Sequence, residues 1–287
     1  MTPGPGCTFH IGRVAGMLLV PVVACAQAAG PSNVHAILQR SLEVTKWDWE
    51  QCHNFANVEH DKETKGGNSA SQTYRVMMID GSPYNRLVLR EGKPLPPPEE
   101  MRQRRLLQEE VSQRANQTSA QRADRIAKYQ KTHQRILDLV REMTQAFDFR
   151  LTGQEKRGGR ENYVLSATPR PGYQPKSRDA RILTTMQGKL WIDRDTYQWT
   201  RAEAEVTRPV WFGLLFAKVY PGTHFLLEQA PVQPGIWLPQ HLRVDVKASI
   251  LGLVHNDFTR DETYQDYRPL DASAVDADAM NGKIDLQ

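Results

Sequence analysis

The stretch that decides the fold is His241-Leu242-Arg243-Val244-Asp245-Val246-Lys247-Ala248-Ser249-Ile250, in which apolar and polar side chains alternate. Successive side chains of a β-strand point to opposite faces, so this alternation predicts a strand with one buried face and one solvated face. Antiparallel sheets commonly have one face in water, whereas parallel sheets are buried on both faces. The segment therefore predicts an antiparallel sheet.

The same period of two recurs elsewhere in the chain, from Asp148 onward and between residues 53 and 90. Turn sequences separate the alternating segments, among them Asp80-Gly81-Ser82-Pro83, Gly158-Gly159 and Arg194-Asp195. Such segments joined by short turns are typical of antiparallel hairpins. Because no strand–helix–strand order repeats, about ten strand candidates predict an antiparallel sheet or an open barrel.

Helical spacing appears in two regions. Ser32 can cap a short amphipathic helix that carries Val34, Ile37 and Leu38. After a proline-rich break at 93–98, a strongly helical insert extends over residues 98–146. Apolar and aromatic residues recur there at steps of three and four and predict a buried stripe: Ile126, Tyr129, His133, Ile136, Val140, Met143 and Phe147. Interspersed charges of both signs predict a solvated opposite face.

The start of the chain predicts export. Arg13 precedes the apolar run 14–24, which then meets small residues, as in a secretory signal peptide over residues 1–25. Ala24-Cys25-Ala26 and Ala26-Gln27-Ala28 both fit ordinary signal-peptidase cleavage. Val22-Val23-Ala24-Cys25 instead resembles a bacterial lipobox, which would make Cys25 the lipid attachment site. Both alternatives predict the periplasm, and the second adds an anchor in the outer membrane through Cys25.

Charge and spacing argue against several other classes of protein. The chain has 37 Lys and Arg against 33 Asp and Glu, and this near balance gives no support to nucleic-acid binding. Nothing after residue 30 reaches the roughly 18 consecutive apolar residues that a spanning helix needs. Cys52-His53 and His60 lack a second pair at metal-ligand spacing, so no metal site is predicted.

Signatures of catalysis are also missing from the sequence. It contains no G-x-S-x-G, H-E-x-x-H, P-loop or G-x-G-x-x-G motif. Acids such as Glu203, Glu205 and Asp245 recur at a spacing of two, which favours the solvated face of a sheet. Asp193 and Asp195 belong to the same class, although a glycosidase-like carboxylate pair is set by distant residues and stays an alternative. The prediction is a protein without catalytic residues or a cofactor.

Seven consecutive apolar residues, Trp211-Phe212-Gly213-Leu214-Leu215-Phe216-Ala217, follow Arg208-Pro209. One interpretation is a buried short helix or strand. The other is a loop that meets an acyl chain or a bilayer surface, with Trp and Phe as interfacial anchors. Under the second interpretation the ligand-binding residues are Trp211, Phe212, Leu214, Leu215 and Phe216.

The order of these features resembles the LolA/LolB-like periplasmic lipoprotein-carrier superfamily. An export signal, an amphipathic helix and an interrupted antiparallel sheet lead to Gly188-Lys189-Leu190-Trp191-Ile192-Asp193. Gly235-Ile236-Trp237-Leu238-Pro239 and the segment from Phe258-Thr259-Arg260 to Tyr264-Gln265-Asp266-Tyr267 look like the later strands of that family. The resemblance covers best residues 147–270 and, more loosely, 31–90, while the insert at 98–146 is longer than the family pattern.

The resemblance implies an α+β fold, an incomplete curved antiparallel β-barrel with helices packed on the concave face and an apolar cavity between them. It implies one domain over 31–270, with the helical insert 98–146 and a C-terminal tail 271–287. The implied function is that of a non-enzymatic bacterial envelope protein that binds an amphiphile such as lipoprotein acyl chains or lipid. Its partners would be a lipid or an acylated lipoprotein and a membrane surface, with the oligomeric state undetermined.

Two further functions stay open at this point. The first is an envelope interaction or sensor protein on the same fold with a filled cavity. The second is an unrecognised secreted hydrolase.

Overall fold

An open antiparallel sheet forms the frame of the residues described by the computed structural model, which are 34–212, 217–250 and 254–270. The predicted signal peptide, Cys25 and the tail 271–287 lie outside these ranges. The elements are α1 (Val34–Gln51), a 3-10 turn (Cys52–Asn54), β1 (Phe55–Lys65), β2 (Asn68–Ile79), β3 (Ser82–Arg90), β4 (Lys93–Pro94), α2 (Pro97–Ala115), α3 (Ser119–Ala146), β5 (Phe147–Arg157), β6 (Arg160–Pro169), a second 3-10 turn (Asp179–Thr185), β7 (Met186–Asp193), β8 (Trp199–Val206), β9 (Val210–Phe212), β10 (Ala217–Val219), β11 (His224–Gln233), β12 (Ile236–Val246), β13 (Ala248–Ile250), β14 (Val254–His255) and β15 (Phe258–Pro269).

The main sheet has 11 strands in the order β4-β3-β2-β1-β15-β12-β11-β8-β7-β6-β5. All of its pairings are antiparallel, and its two outermost strands, β4 and β5, do not pair with each other. A separate four-stranded sheet, called here the small sheet, has the order β14-β13-β10-β9. The predicted fold class, an incomplete antiparallel barrel with helices and a helical insert, is confirmed.

One face of the main sheet, called here the helix face, is buried under α1, α3 and the turn Asp179–Thr185. Ile37 and Leu38 of α1 pack with Leu165, Leu190 and other members of a buried cluster. A second cluster joins Ala146 and Phe147 to Ala180 and Leu183 of the turn. Apolar side chains at alternate positions, such as Leu165 and Ala167 of β6 and Leu190 and Ile192 of β7, thus form a large part of both clusters, as the period of two predicts.

β7 and β8 approach each other very closely in the middle of this face. A Cβ at Gly188 would lie 2.3 Å from the carbonyl oxygen of Glu203. That separation is impossible for a real Cβ, so the first residue of the Gly188–Asp193 motif has to be glycine.

The opposite face, called here the polar face, carries charged and hydrogen-bonding side chains. The cross-strand register places one row of them across six neighbouring strands: Trp191, Arg201, Glu228, His241, Thr263 and His60. His241 lies between Glu228, at 3.4 Å, and Asp261, at 3.0 Å. Opposite charges next to each other across strands stabilise the sheet modestly and keep this face solvated.

The helical insert consists of two helices. At the start of α3, Thr118 Oγ1 accepts a hydrogen bond from the Gln121 backbone N–H, and Gln121 Oε1 accepts one from the Thr118 N–H, which forms a capping box. Arg114 of α2 is buried and donates to the carbonyl oxygens of Ile79 and Ser82 at 2.6 and 2.7 Å. The insert is thereby fastened to the turn between β2 and β3.

Two predictions about individual residues need correction. Ile136 is 40% exposed, and Leu137, only 5% exposed, takes its place in the buried stripe of α3. The alternating stretch 241–250 is divided between the two sheets, since β12 ends at Val246 and β13 begins at Ala248. Lys247 lies between the two strands, and its hydrogen bonds stabilise the backbone at this point. Its N–H donates to Thr223 Oγ1 at 2.9 Å, and its carbonyl oxygen accepts from the Tyr220 N–H at 2.8 Å.

Candidate functional site

The predicted ligand-binding segment begins in the small sheet. Trp211 lies on β9 and is 48% exposed. Phe212 pairs in register with Ala217 of β10. Leu214, Leu215 and Phe216 lie outside the described residues. The structure therefore locates the start of the segment and does not test the role of its members.

The base of the small sheet is firmly joined to the body of the protein. Val210 and Ala248 are buried there. The Tyr220 hydroxyl and Ser249 Oγ are 2.9 Å apart, and Ser249 itself has almost no exposed surface. Buried apolar contacts and hydrogen bonds at the base fix the direction in which the strands leave the core.

A second group of exposed apolar side chains lies on the neighbouring strands of this sheet. Ile250 at the end of β13 is 42% exposed, and Val254 at the start of β14 is 62% exposed. Sequence reasoning did not single out these residues. The signal was present in Ile250-Leu251-Gly252-Leu253-Val254, an apolar run with a central glycine like that of 211–217, of which 251–253 lie outside the described residues.

The charges around the small sheet are positive. Lys218 Nζ lies 5.2 Å from the ring centre of Trp211 and 5.1 Å from that of Tyr220, within the range of a cation–π interaction. The sequences 208–222 and 247–256 contain Arg208, Lys218 and Lys247 but no Asp or Glu. Asp257 follows directly and lies 3.3 Å from Lys247 Nζ. The small sheet is thus a surface of apolar and basic side chains.

The space between α1 and the helix face is filled by side chains. Leu165 and Ile192 have no exposed surface, and Trp199 packs in the same cluster as Ile37 and Leu38. In the described residues the expected apolar cavity between helices and sheet is therefore not seen. Two clefts formed by the described residues are open to solvent.

One of these clefts, of about 860 Å³, lies beside α3, the C-terminal end of α1 and the turn after β2. His133 lines it, with ring centres 5.3 Å from Trp49 and 6.2 Å from Tyr129. Burial lowers the pKa of His133, and within the described residues its Nε2 has no hydrogen-bond partner. As the sequence predicts, His133 is a packed histidine of the stripe.

Cys52, close to this cleft, lacks the environment of a nucleophile. Burial raises the pKa of its thiol to about 11, and Sγ donates to the Trp49 carbonyl oxygen at 3.0 Å. A thiol with such a pKa is protonated at neutral pH and unreactive.

Three of the acids that the sequence assigned to a solvated face lie on the polar face and have partners, whereas Asp193 is buried and contradicts that prediction. Glu203 pairs with Arg201, Gln187 donates to Glu205 at 2.6 Å, and Arg243 donates to Asp245 at 3.0 Å. A groove of about 520 Å³ runs past Glu203, Glu205 and Asp245. Asp193 instead organises the turn after β7, where its Oδ1 accepts from the Thr196 N–H at 2.8 Å.

The described ranges hold neither a cluster of metal-ligating side chains nor a helix suited to span a membrane. There, no group of three or more His, Cys, Asp or Glu side chains is arranged to hold a metal ion. Among the helices of residues 34–212, 217–250 and 254–270, none is long and apolar enough to cross a bilayer.

Comparison with known proteins gives structural matches only. No family model and no curated protein matches the sequence. The matched structures include a DUF1329 family protein from Desulfovibrio piger, 15% identical, with 87% of this chain and 98% of the other covered and a TM-score of 0.34. They also include a LolA superfamily protein from Nitrosomonas europaea, at 13% identity, 86% and 97% coverage and a TM-score of 0.33. A third is a domain described as a putative outer membrane lipoprotein-sorting protein from Vibrio parahaemolyticus, at 9% identity, 84% and 98% coverage and a TM-score of 0.32.

These identities and scores carry no argument about function, so the function has to be argued from the residues themselves. The fold rests on the strand order and on the helices described above. An unclosed antiparallel sheet with helices packed on one face agrees with the architecture that the sequence predicts.

Proposed function

We propose that this chain is a non-enzymatic protein of the bacterial envelope that binds an amphiphile, such as lipoprotein acyl chains or lipid. The binding residues are Trp211, Phe212, Leu214, Leu215 and Phe216. The exposure of Trp211 carries the proposal: nearly half of a large aromatic side chain faces water at the start of a wholly apolar segment. Exposed apolar surface of this kind marks a site that a ligand or a membrane covers.

The proposed location is the periplasm, reached through the signal peptide 1–25. We further propose that Cys25 carries the lipid anchor of an outer-membrane lipoprotein. Both statements rest on the sequence of residues that the structure does not describe.

A second candidate is an interaction or sensor protein on the same fold that holds no ligand. The filled space under α1 favours it, because Leu165 and Ile192 leave no room for an acyl chain there. The two candidates differ at residues 211–216, which contact the amphiphile only in the first.

Binding of fluorescent fatty-acyl probes in buffer without vesicles tests the proposal. Each buried methylene removes about 0.8 kcal/mol of unfavourable hydration, so affinity should rise up to roughly fourfold per added CH₂. Leu215→Ser and Phe216→Ala should weaken binding and leave the melting temperature nearly unchanged. Ile136→Ser, which changes an exposed side chain on α3, should affect neither quantity.

Two results would contradict the proposed site. If the wild-type protein ignores acyl probes of every length, the carrier function fails and the interaction candidate takes its place. If Phe216→Ala lowers the stability by about 3–5 kcal/mol, the segment belongs to the core instead of the binding site.

A further inference from the structure

The described residues of the small sheet share one row of apolar residues across all four strands, called here the tip row. The register pairs Phe212 with Ala217, Ala217 with Ile250, and Ile250 with Val254. The preceding row contains Trp211, Lys218, Ser249 and His255. Val210 at the base is buried, whereas Ile250 and Val254 of the tip row are exposed.

Apolar side chains are exposed on both faces of this tip. Ile250 and Val254 belong to the tip row, and Trp211 belongs to the row before it, so Trp211 projects from the opposite face. All three have more than two-fifths of their surface in water. A folded partner that packs on one face of a sheet would leave the other face exposed, whereas a bilayer surrounds an inserted tip on both sides.

The basic residues of the small sheet are suited to bind an anionic surface. Arg208 and Lys218 lie in the first chain segment of the small sheet, which contains no acid between 208 and 222. Lys247 of the second segment is paired with Asp257 at 3.3 Å, so the net charge of the surface comes from Arg208 and Lys218. Trp211 and Tyr220 both contact the ammonium of Lys218. Aromatic side chains next to cations are typical of the headgroup level of a membrane.

We infer that the small sheet is a docking surface for a bilayer that contains anionic phospholipid, with Trp211, Ile250 and Val254 inserted at its interface. Lys218 contacts the lipid phosphates. This docking adds β13 and β14 to the proposed site and does not require that the protein carry a ligand.

Vesicle flotation with the full-length chain carrying Cys25→Ser, which has no thiol for acylation at that position, tests the inference. The protein should float with vesicles of phosphatidylethanolamine and phosphatidylglycerol at 3:1 and less with phosphatidylcholine vesicles. Ile250→Ser and Val254→Ser should each weaken the partitioning about 10-fold. The matched controls Ile136→Ser and Met101→Ser, which change exposed apolar residues of α3 and α2, should not weaken it.

The basic residue should act only on the anionic vesicles. Lys218→Gln should reduce their binding about fivefold, and high salt should abolish the difference from phosphatidylcholine vesicles. Because Met101, Ile136, Ile250 and Val254 are exposed, their substitution should leave the melting temperature at the wild-type value. Lys218 is half-buried, and Lys218→Gln should change the melting temperature only slightly because it keeps most of the side chain.

Several results would overturn the inference. These are a Cys25→Ser chain that does not float, or controls that weaken flotation as much as Ile250→Ser. Sedimentation showing a dimer that Ile250→Ser dissociates would assign the surface to a second copy of the chain. A chain that floats but ignores acyl probes supports the docking and contradicts the proposed function, and the reverse pattern does the opposite.

Discussion

Two aspartates with only 1% of their surface exposed, Asp48 and Asp193, lie in contrasting environments. Asp48 on α1 accepts one hydrogen bond from the Trp237 N–H at 3.0 Å and a longer one from Gln198 at 3.3 Å. Its Oδ2 has no partner among the described residues. Burial outweighs these bonds and raises the pKa of Asp48 to about 7. Because the folded-state pKa lies above that of the unfolded chain, folding is favoured most when this carboxyl group is protonated.

Replacement of Asp48 by Asn should therefore remove part of the pH dependence of stability. The unfolded chain releases this proton near pH 4 and the folded chain near pH 7, so stability falls as pH rises between those values, by up to about 1.4 kcal/mol per pH unit. Asp48→Asn should be more stable than the wild type at pH 8, and the difference should vanish near pH 4. Urea unfolding of both proteins at pH 4, 6 and 8 measures this difference in stability. Equal unfolding midpoints at pH 8 would refute the raised pKa of Asp48.

Asp193 provides a control because its effect on stability changes with pH in the opposite direction. Its burial alone would raise the pKa, but hydrogen bonds from Thr196, Asp195 and Arg160 outweigh burial and hold the pKa below the ordinary value. The stability that this ionised group contributes is present above the unfolded pKa and is lost as pH falls. Asp193→Asn should thus destabilise the protein at pH 8, by about 1–3 kcal/mol. Burial and the nearby Glu262 raise the pKa of Glu59 to about 7. Glu59 therefore also makes stability fall as pH rises, and this contribution is the same in both variants.

At the scale of elements, the buried stripe of α3 shows how a small error in the assumed helical period assigns the wrong residue to the buried face. Three turns of 3.6 residues cover about 11 residues, so Leu137, and not Ile136, lies on the same side of the helix as Ile126. Strictly alternating steps of three and four follow a period of 3.5 and drift away from the true face. The correct stripe can be found only when the helix is long enough for this drift to be taken into account.

Adjacent substitutions on α3 test the corrected face. Leu137→Asp places a charge among buried neighbours and should cost at least about 3 kcal/mol of unfolding free energy. Ile136→Asp changes a side chain that is already 40% exposed and should cost no more than about 0.5 kcal/mol. Thermal or urea unfolding of both variants measures the difference, and similar losses would show that the stripe is wrongly placed.

The main sheet and the two insert helices can be predicted from the sequence, because alternation and helix capping depend on residues that are close together in the chain. The small sheet does not, since three of its strands have three residues and one has two. Strands of that length carry too few side chains to show a period. The Trp211 segment drew attention by its composition alone, whereas Ile250 was assigned to the strand that begins at His241. Its place beside β10 depends on a long-range pairing that no local pattern specifies.

At the scale of the whole molecule, the topology explains why two distant segments meet in one surface. β8, β11, β12 and β15 are consecutive neighbours in the main sheet. The connection from β8 to β11 contains β9 and β10, and the connection from β12 to β15 contains β13 and β14. His224 pairs with both Glu205 and Asp245, so the two connections leave the same end of the sheet. The main sheet thereby presents both apolar segments together.

Membrane association should then depend on two separate parts of the chain. A single weak hydrophobic contact gives reversible binding, whereas a lipid anchor combined with a second contact holds a protein stably. If Cys25 is acylated, Cys25→Ser should move most of the protein from the membrane to the soluble periplasmic fraction, and the remainder should bind through the small sheet. Adding Ile250→Ser should release that remainder, while adding Ile136→Ser should not. Fractionation of cells that express the four chains measures both contributions. Equal distribution of wild type and Cys25→Ser would assign cleavage to one of the A-x-A sites and leave the small sheet as the proposed membrane contact.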